Sequence, residues 1–441
     1  MLHIEKKYII DRIIFLCFIL YSATVLFNEG IGNFFIRIAF LLGFIKFIKS
    51  KNVYFSLAVV NKYLKPLITF FGLIFVLVFI HGLGYSAISK YEALIKMIIP
   101  FCTALFFISD KKQIKWILLM LCAGIVINEV YSIYDFFIQN NSRTHGINMW
   151  TLYFAGILLL QLPVLLCILI KGNLSKNKNI ILIFLLALTL LAIFTNGSRM
   201  TWLITVFDFI ILSMFFIKSV KKKMAVILGI FLVLFSMYSM NSNINSKVNS
   251  LFDTNNISTR GHYFYLRDGV NLFLEHKWIG VGLNRFNESI LDDNLVSEDS
   301  INNLKKDLHV KINDKYVMPH AHNDLVMFLS ELGILGGFIY LYLFGSILFY
   351  TMNNWRKNKD IWSLSICIMT INILIRGLSD YNLANMGVVS LYFFMYSLYL
   401  RHIFLISNKK NEVIKGKYLG FIFGGILFVV LLRIGSKYLM N

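Results

Sequence analysis

A histidine-rich segment is the clearest candidate for chemistry in this sequence. Residues 319–324 read Pro-His-Ala-His-Asn-Asp and lead into an apolar run. Histidine exchanges protons near neutral pH, so His320 and His322, with Asn323 beside them, are candidates for proton transfer. Asn323 or Asp324 could instead cap the following helix. A His-x-His pair also suits zinc, but Asp324 is the one further plausible ligand nearby, so we predict no metal site.

Glycines follow the histidine segment within the same apolar run. Gly333, Gly336 and Gly337 would let this helix or loop approach its neighbours closely, either to support the histidines or for packing alone. Upstream, Gly280 and Gly282 resemble a nucleotide-binding loop only faintly. They lack a third glycine and a preceding strand, so we reject that interpretation.

Arginine is the second residue type that could do chemistry here. Arg199 ends the sequence Thr-Asn-Gly-Ser-Arg, at a tight turn between two apolar runs. A turn needs Gly and Asn but not Arg, whose planar, permanently charged group binds phosphate in a bidentate manner. We therefore predict that Arg199 holds a diphosphate, with interfacial anchoring as the alternative. Arg260 and Arg143 are further candidates, although each could be a solvated loop charge, and Arg267 competes with Arg260.

Several other charged side chains fall within or near the ends of apolar runs. A charge at membrane depth is costly unless it is paired or solvated, so such residues are functional candidates. Asp380 is one of them. Arg37, Asp135 and Arg376 lie near the predicted ends of such runs, where we expect them to reach the polar interface instead.

The elements that must position these residues are membrane helices. The chain has 441 residues, of which 58% are hydrophobic and 15% charged. Soluble proteins contain about 25% charged residues, and a membrane-spanning helix needs about 20 mostly apolar residues. Thirteen apolar runs are candidates: 9–27, 31–48, 67–85, 92–109, 117–138, 150–170, 180–195, 201–217, 224–240, 324–352, 361–376, 386–405 and 418–435. The sequence therefore predicts an all-α polytopic membrane protein.

The formal net charge of +20 indicates topology rather than nucleic-acid binding. Lysines and arginines concentrate at the N-terminus and in every second loop between the predicted spans. The positive-inside rule then places the N-terminus and these loops in the cytoplasm. Membrane lipids are therefore expected partners, and nucleic acid is not.

The predicted spans divide the chain into four regions. Residues 1–240 hold spans one to nine, and 241–320 form a long outer segment with nine basic and ten acidic residues. Residues 321–405 hold spans ten to twelve with the histidine and glycine motif, and 406–441 hold a basic loop and an extra last span. In the outer segment, Ser258 and Thr259 could cap an amphipathic helix lying on the membrane surface, with Tyr263, Leu266, Val270 and Phe273 on its apolar face and Asp268 on its polar face.

These motifs resemble those of the bacterial O-antigen ligase family, whose superfamily also holds O-antigen polymerases. His322-Asn323, then nine residues, then Gly333-Ile334-Leu335-Gly336-Gly337 is similar to the family signature. Arg199 resembles the family's outer arginine, and Arg260 with Gly280-x-Gly282 resembles its second one. The segment Gly377-Leu378-Ser379-Asp380 also fits. The resemblance covers the first twelve spans and the outer segment, whereas the thirteenth span is additional.

The resemblance implies a specific reaction. Such an enzyme, with a GT-C-like fold, transfers a glycan from undecaprenyl diphosphate to the lipid A-core oligosaccharide, without metal or cofactor and with inversion. The site would lie at the periplasmic face of a Gram-negative inner membrane. Arg199 and Arg260 would stabilise the leaving diphosphate, and His322 would take the acceptor's proton. A polymerase using the same donor is an alternative. A flippase is another alternative, but a flippase needs more charged residues in the middle of its spans than this sequence has, and it does not need a histidine motif.

Overall fold

Long apolar stretches that can satisfy their backbone hydrogen bonds only internally make this chain helical. The computed structural model describes all residues except 1, 51, 55–62, 142, 172–173, 222, 225–227, 230–256, 293–310, 313–314, 317–319, 383–385, 407–412 and 416–441. At 257–260, which include Arg260, it describes the backbone alone.

The helices, numbered in chain order, are α1 (Leu2–Thr24), α2 (Glu29–Ser50), α3 (Lys65–Ile80), α4 (Tyr85–Phe107), α5 (Lys111–Phe137), α6 (Thr151–Lys171), α7 (Lys176–Asn196), α8 (Arg199–Phe216), α9 (Ile257–Glu275), α10 (Phe286–Asp292), α11 (Asp324–Asn358), α12 (Ile361–Gly377) and α13 (Met386–Ile406). The boundaries of α6, α12 and α13 match the predicted runs to within one residue. By contrast, α4 begins seven residues before the predicted start at residue 92.

Seven helices in the described part of the chain are long and apolar enough to cross a membrane: α2, α5, α6, α7, α8, α11 and α13. The apolar helices α3 and α12 are shorter, at 16 and 17 residues. The protein is therefore built as a multi-pass membrane protein. Predicted span thirteen and almost all of span nine lie outside the described residues, so the predicted number of spans stays a prediction.

Four short strands qualify the all-α prediction. Strand β1 (Asn52–Tyr54) pairs antiparallel with β4 (Val413–Lys415), with Val53 opposite Ile414. Strands β2 (Lys311–Ile312) and β3 (Lys315–Tyr316) form a second antiparallel pair. None of the four exceeds three residues, so they do not alter the helical architecture.

The most buried of the membrane-length helices is α6, which packs against α7, α8, α12 and α13. Beside it, α13 packs along α4 through aromatic rings, with Phe101 stacked on Tyr396 at a centroid distance of 5.9 Å. This interior also holds a polar pair: the Asn372 amide donates to Asp208 Oδ2 over 2.9 Å. Such pairing offsets the cost of placing polar groups at membrane depth.

Alternate loops of the chain meet at one end of the bundle, which we call the His322 end. There Asn196 Nδ2 donates to the carbonyls of Thr144 and Thr151, each over 3.0 Å. The lysines that begin α5 and α7, and the basic residues that end α11, lie at the opposite end. The placement of the basic loops in the cytoplasm stays a prediction.

Helix α9 packs beside the start of α11 and differs in detail from its prediction. It begins at Ile257, so Ser258 and Thr259 lie inside its first turn and do not precede it as caps. Asp268, predicted on the polar face, is fully buried beside Gly269, whose position faces Val326 and Ala321. The expected apolar residues Tyr263 and Val270 are exposed, as a surface contacting lipid requires.

Candidate active site

The loop before α11 presents His322 in an unusual backbone conformation. His322 has φ of 51°, a left-handed value that non-glycine residues rarely adopt. Asn323 holds this turn, because its Oδ1 accepts from the Val326 N–H over 3.0 Å and caps α11. Its Nδ2 donates to the Leu378 carbonyl over 3.1 Å, which ties the turn to the loop after α12. Residues held in such sparsely populated conformations cluster at functional sites.

Asp380, from the loop after α12, faces the imidazole. The distance from His322 Nδ1 to Asp380 Oδ1 is 3.7 Å, and Arg376 Nη2 lies 3.8 Å from Asp380 Oδ2. Burial alone would raise the pKa of Asp380, but His322 and Arg376 lower it below its usual value. Asp380 therefore remains an anion beside the imidazole.

Arg376 does not extend to the interface as predicted from the sequence. Its side chain is buried, and Nη2 donates to the Leu152 carbonyl at the start of α6 over 2.9 Å. Asp135 is likewise buried and accepts from Asn141 Nδ2 over 2.6 Å. Both predictions were wrong, because the start of α6 supplies a partner for Arg376 and the turn after α5 supplies one for Asp135.

Three imidazoles meet at this point. The ring of His322 lies 4.1 Å from that of His320 and 4.4 Å from that of His262 on α9, and Tyr265 stacks on it at 5.4 Å. Burial, followed by the charge of His322, lowers the pKa of His262 and of His320 to about 4. His320 Nδ1 accepts from the His322 backbone N–H over 3.2 Å. His320 thus remains neutral and supports the strained turn.

Two of the predicted arginines lie in the same cluster. Burial, then repulsion from Arg199, lowers the pKa of Arg143, while Asp380 acts in the opposite direction. Arg199 also contributes to the lowered pKa of His262. Arg143, Arg199 and the histidines are therefore electrostatic neighbours, although they come from three separate loops and α9.

Which of Arg260 and Arg267 acts as the second arginine stays a prediction. Arg267 Nε donates to Asp268 Oδ1 over 3.2 Å, and its guanidinium lies 5.1 Å from the Phe264 ring centre. Arg260 lies two residues before His262 on α9. The helix therefore carries position 260 to the neighbourhood of His322, while the contacts of the Arg260 side chain lie outside the described structure.

Asp324 has a structural role. It is buried, and its Oδ2 accepts from the Tyr340 hydroxyl over 3.2 Å and from Asn382 Nδ2 over 2.8 Å. A side chain at Gly377 would collide with it. Asp324 therefore fastens the start of α11 to the end of α12 and to the loop that carries Asp380.

The glycines interrupt α11 where another segment crosses it. Gly333 has φ of 67° and ψ of −163°, a combination accessible essentially to glycine alone. A Cβ there would overlap the Trp278 carbonyl, and one at Gly280 would overlap the Glu331 carbonyl. Across this contact the Ile334 N–H donates to the Lys277 carbonyl over 2.8 Å and the Gly282 N–H to the Glu331 carbonyl over 2.8 Å.

Gly336 and Gly337 accommodate the resulting kink. Side chains at these positions would overlap the preceding turns of α11, at the Phe328 carbonyl and at Leu329. The five glycines singled out in the sequence, Gly280, Gly282, Gly333, Gly336 and Gly337, thus belong to one crossing. It anchors the segment between α9 and α10 beside the histidine turn.

Three residues of this cluster could in principle offer ligands to a metal ion. His320, His322 and Asp380 each offer one ligand atom, and these atoms lie within 4.8 Å of one another. The donor set fits poorly, because Asp380 also faces Arg376, and Arg143 and Arg199 lie close by. Cationic surroundings oppose a divalent ion. The cluster suits an anion better than a cation.

Sequence reasoning missed four members of this site. They are His262 and Tyr265 on α9, Tyr381, whose ring lies 5.7 Å from that of His320, and Lys90, whose Nζ lies 5.1 Å from the Tyr381 ring centre. His262 lies two residues after the candidate Arg260 in the sequence, and this could have indicated that it belongs to the site. Nothing in the local sequence distinguishes Lys90.

Comparison with known proteins finds one family model that matches the central part of the chain. A family model described as O-antigen ligase matches residues 184–341, from within α7 to within α11. The matched range includes Arg199, Arg260, His262, His322 and the interrupted α11, whereas Arg143, Arg376 and Asp380 lie beyond it. No curated protein matches the chain. Residues 184–341 are therefore similar to the O-antigen ligase family, which the motifs of the sequence also resemble.

Proposed function

We propose that this protein is an O-antigen ligase, which transfers a glycan from undecaprenyl diphosphate to a sugar hydroxyl of the lipid A-core oligosaccharide. The observation that carries the proposal is that His322 faces Asp380 in the same cluster that holds Arg143 and Arg199. A base and an anion site lie side by side there, as an attacking hydroxyl and a departing diphosphate require.

The base step follows from the three imidazoles. With their pKa values at about 4, His262 and His320 are weak bases at neutral pH. His322 is the imidazole that faces the Asp380 carboxylate, at 3.7 Å. When His322 takes the proton of the acceptor hydroxyl, the imidazolium gains this carboxylate as a counter-ion. The contact is longer than a hydrogen bond, and such contacts often shorten once substrate binds.

The leaving-group step uses the arginines. As the bond from the anomeric carbon to the diphosphate breaks, negative charge accumulates on the phosphate oxygens. Arg143 and Arg199 repel one another in the free protein, and a diphosphate near both relieves that repulsion. Arg260 would add a third guanidinium from α9. Preorganised cations of this kind stabilise the transition state without reorganisation.

A single displacement by the acceptor oxygen inverts the anomeric carbon. The proton passes to His322 and the electron pair of the broken bond to the diphosphate, so no metal or cofactor is required. The His322 end then faces the periplasm, with the basic end of the bundle in the cytoplasm of a Gram-negative cell.

Deletion of the gene, followed by analysis of lipopolysaccharide on a gel, tests the proposal. We expect bare core on lipid A, full-length glycan retained on the lipid carrier, and rescue by the wild-type gene. Core bearing a single repeat would instead identify a polymerase using the same donor. Glycan trapped on the cytoplasmic side would identify a flippase.

A second arm of the experiment tests the mechanism. His322→Ala, produced at wild-type level in the membrane, should fail to rescue the deletion. Glu275→Gln is the matched control, because it alters an exposed residue at the end of α9. Normal glycan attachment by His322→Ala would exclude His322 as the base.

A further inference from the structure

A cavity opens at the same end of the bundle as the candidate active site. It has a volume of about 630 Å³ and lies between the turn from α1 to α2, the loop before α6 and the start of α13. Its walls are Val25–Gly30, Asn148–Trp150, Tyr153, Met386 and Gly387. All of these residues lie at the His322 end of the bundle, and none has a role in the mechanism above.

The walls of this cavity are preformed around one buried side chain. Asn128 on α5 donates through Nδ2 to the Leu26 carbonyl over 3.2 Å, and its Oδ1 accepts from the Ile147 N–H over 2.7 Å. The Met149 N–H then donates to the Gly146 carbonyl over 3.1 Å and closes a tight turn. The Asn128 amide therefore holds both the turn after α1 and the loop before α6 in place. Such preformed walls are typical of a binding site and not of a loose surface groove.

The chemistry of the lining is that of a carbohydrate site. Trp150 is 85% exposed and offers a flat apolar face. Glu29, exposed at the first turn of α2, lies beside the Tyr153 hydroxyl, and Asn148 adds an amide. Hydroxyl groups of a sugar bind to carboxylates and amides, while its C–H face packs on an aromatic ring.

The same lining disfavours an anionic ligand. None of the residues that the structure describes around the cavity is a lysine or an arginine, and Glu29 is acidic. Phosphate groups would be repelled there, unlike at Arg143 and Arg199. An exposed tryptophan can also anchor a protein at a membrane interface, but an anchor needs no cavity with polar groups beside it.

The cavity is close enough to the active site for one glycan to reach both. The loop before α6 carries Arg143 at the histidine cluster and Asn148 in the cavity wall. Five residues span at most about 18 Å. A shorter link runs through Leu152, whose carbonyl accepts from Arg376 over 2.9 Å, and Arg376 in turn faces Asp380.

We propose that this cavity binds a sugar residue of the glycan, next to the unit that reacts at His322. The sugar belongs either to the acceptor or to the donor chain, because both carry the same chemistry. The role of this cavity in glycan transfer rests on the proposed function. The binding itself can be measured without any transfer.

Binding is tested first with purified protein in detergent. Tryptophan fluorescence is followed while free core oligosaccharide, or the repeat-unit glycan released from its lipid, is added. The chain has six tryptophans, so the response of Trp150 is the difference between wild type and Trp150→Phe. We expect one of the two glycans to produce a saturable change that Trp150→Ala abolishes. The same titration in Trp150→Ala as in wild type would overturn the proposal.

Kinetics in proteoliposomes then identify the source of the sugar. Trp150→Ala and Glu29→Gln should raise the KM for one substrate about tenfold, as truncation of an aromatic anchor does, with kcat retained. Trp150→Phe should keep most of the affinity. Trp278→Ala is the matched control, since Trp278 is 76% exposed at the same end of the bundle.

The two kinetic arms separate the outcomes. A raised KM for the lipid A-core substrate assigns the cavity to the acceptor, and a raised KM for the lipid-linked glycan assigns it to the donor. Unchanged KM values for both substrates in Trp150→Ala contradict the proposal. If wild type transfers no glycan at all, the proposed function fails, while the fluorescence titration still decides whether the cavity binds sugar.

Discussion

The pairing of Asp380 with His322 provides the sharpest quantitative prediction. Asp380→Asn keeps the shape of the side chain and removes its charge. In the proposed transition state His322 becomes an imidazolium 3.7 Å from this carboxylate. At that distance the attraction is about 1 kcal/mol in water and about 4 kcal/mol at an effective dielectric constant near 20. Arg376 shares the carboxylate at 3.8 Å, which favours the lower half of this range.

We therefore expect Asp380→Asn to lower kcat by about ten- to a hundredfold. The assay measures transfer from a lipid-linked donor to lipid A-core in proteoliposomes. Arg376 retains its bond to the Leu152 carbonyl, so the variant should still fold, which a melting temperature in detergent checks. Glu275→Gln, which removes an exposed carboxylate from α9, should have wild-type kcat.

A double variant tests whether Asp380 acts through His322. If the residues form one unit, adding Asp380→Asn to His322→Ala should cause no further loss. Wild-type kcat in Asp380→Asn would refute the reasoning. So would a full additional loss in the double variant, because Asp380 would then act independently of the imidazole.

Three further predictions follow from the same geometry. Gly333→Ala should destabilise the protein by at least about 1–3 kcal/mol, because φ is 67° at this position and an added Cβ would overlap the Trp278 carbonyl. The control is Gly345→Ala on the same helix, where an added Cβ meets nothing within 4 Å and the melting temperature should stay unchanged. The pKa of His320 is about 4 in the folded state against 6.5 in the unfolded state, so the free energy of unfolding should fall as the pH drops from 6.5 towards 4, by at most about 3 kcal/mol. In His320→Asn the melting temperature should depend less steeply on pH, which melting scans at pH 7 and pH 5 measure. Arg199→Lys should lower kcat/KM for the lipid-linked donor by about tenfold or more, because a point charge replaces a bidentate group, and wild-type kinetics would contradict the anion site.

The helices and the motifs were largely readable from the sequence. Apolar length alone placed α6, α12 and α13 closely, because membrane helices satisfy their own backbone and need no distant partner. His322 and Arg199 were recognisable because their residue types are costly or unnecessary where they stand. Local sequence carries that kind of information.

The contacts between distant segments were not readable. Arg376 is buried because the start of α6, more than two hundred residues away in sequence, supplies a carbonyl for it. The break in α11 depends on Gly280 and Gly333 meeting backbone to backbone. His262 joins the site only because α9 packs beside α11. Helical periodicity describes one helix at a time and cannot specify such pairings.

Asp268 illustrates the limit of periodicity on α9. A charged residue predicts a solvated face, but Asp268 is fully buried and accepts from Arg267 over 3.2 Å. Two residues of the predicted apolar face, Tyr263 and Val270, are exposed, as expected for a helix that lies on the membrane surface. For a helix between protein and lipid, the hydrophobic face indicates the membrane and not the protein core.

Reconstituted transfer tests the central claim most directly. Purified wild-type protein, lipid-linked glycan and lipid A-core are combined in proteoliposomes in the presence of a chelator, and the anomeric configuration of the product is determined. We predict a product with inverted configuration from wild type and none from His322→Ala of equal stability. Transfer by His322→Ala at the wild-type rate, or a product with retained configuration, would contradict a single displacement with His322 as its base.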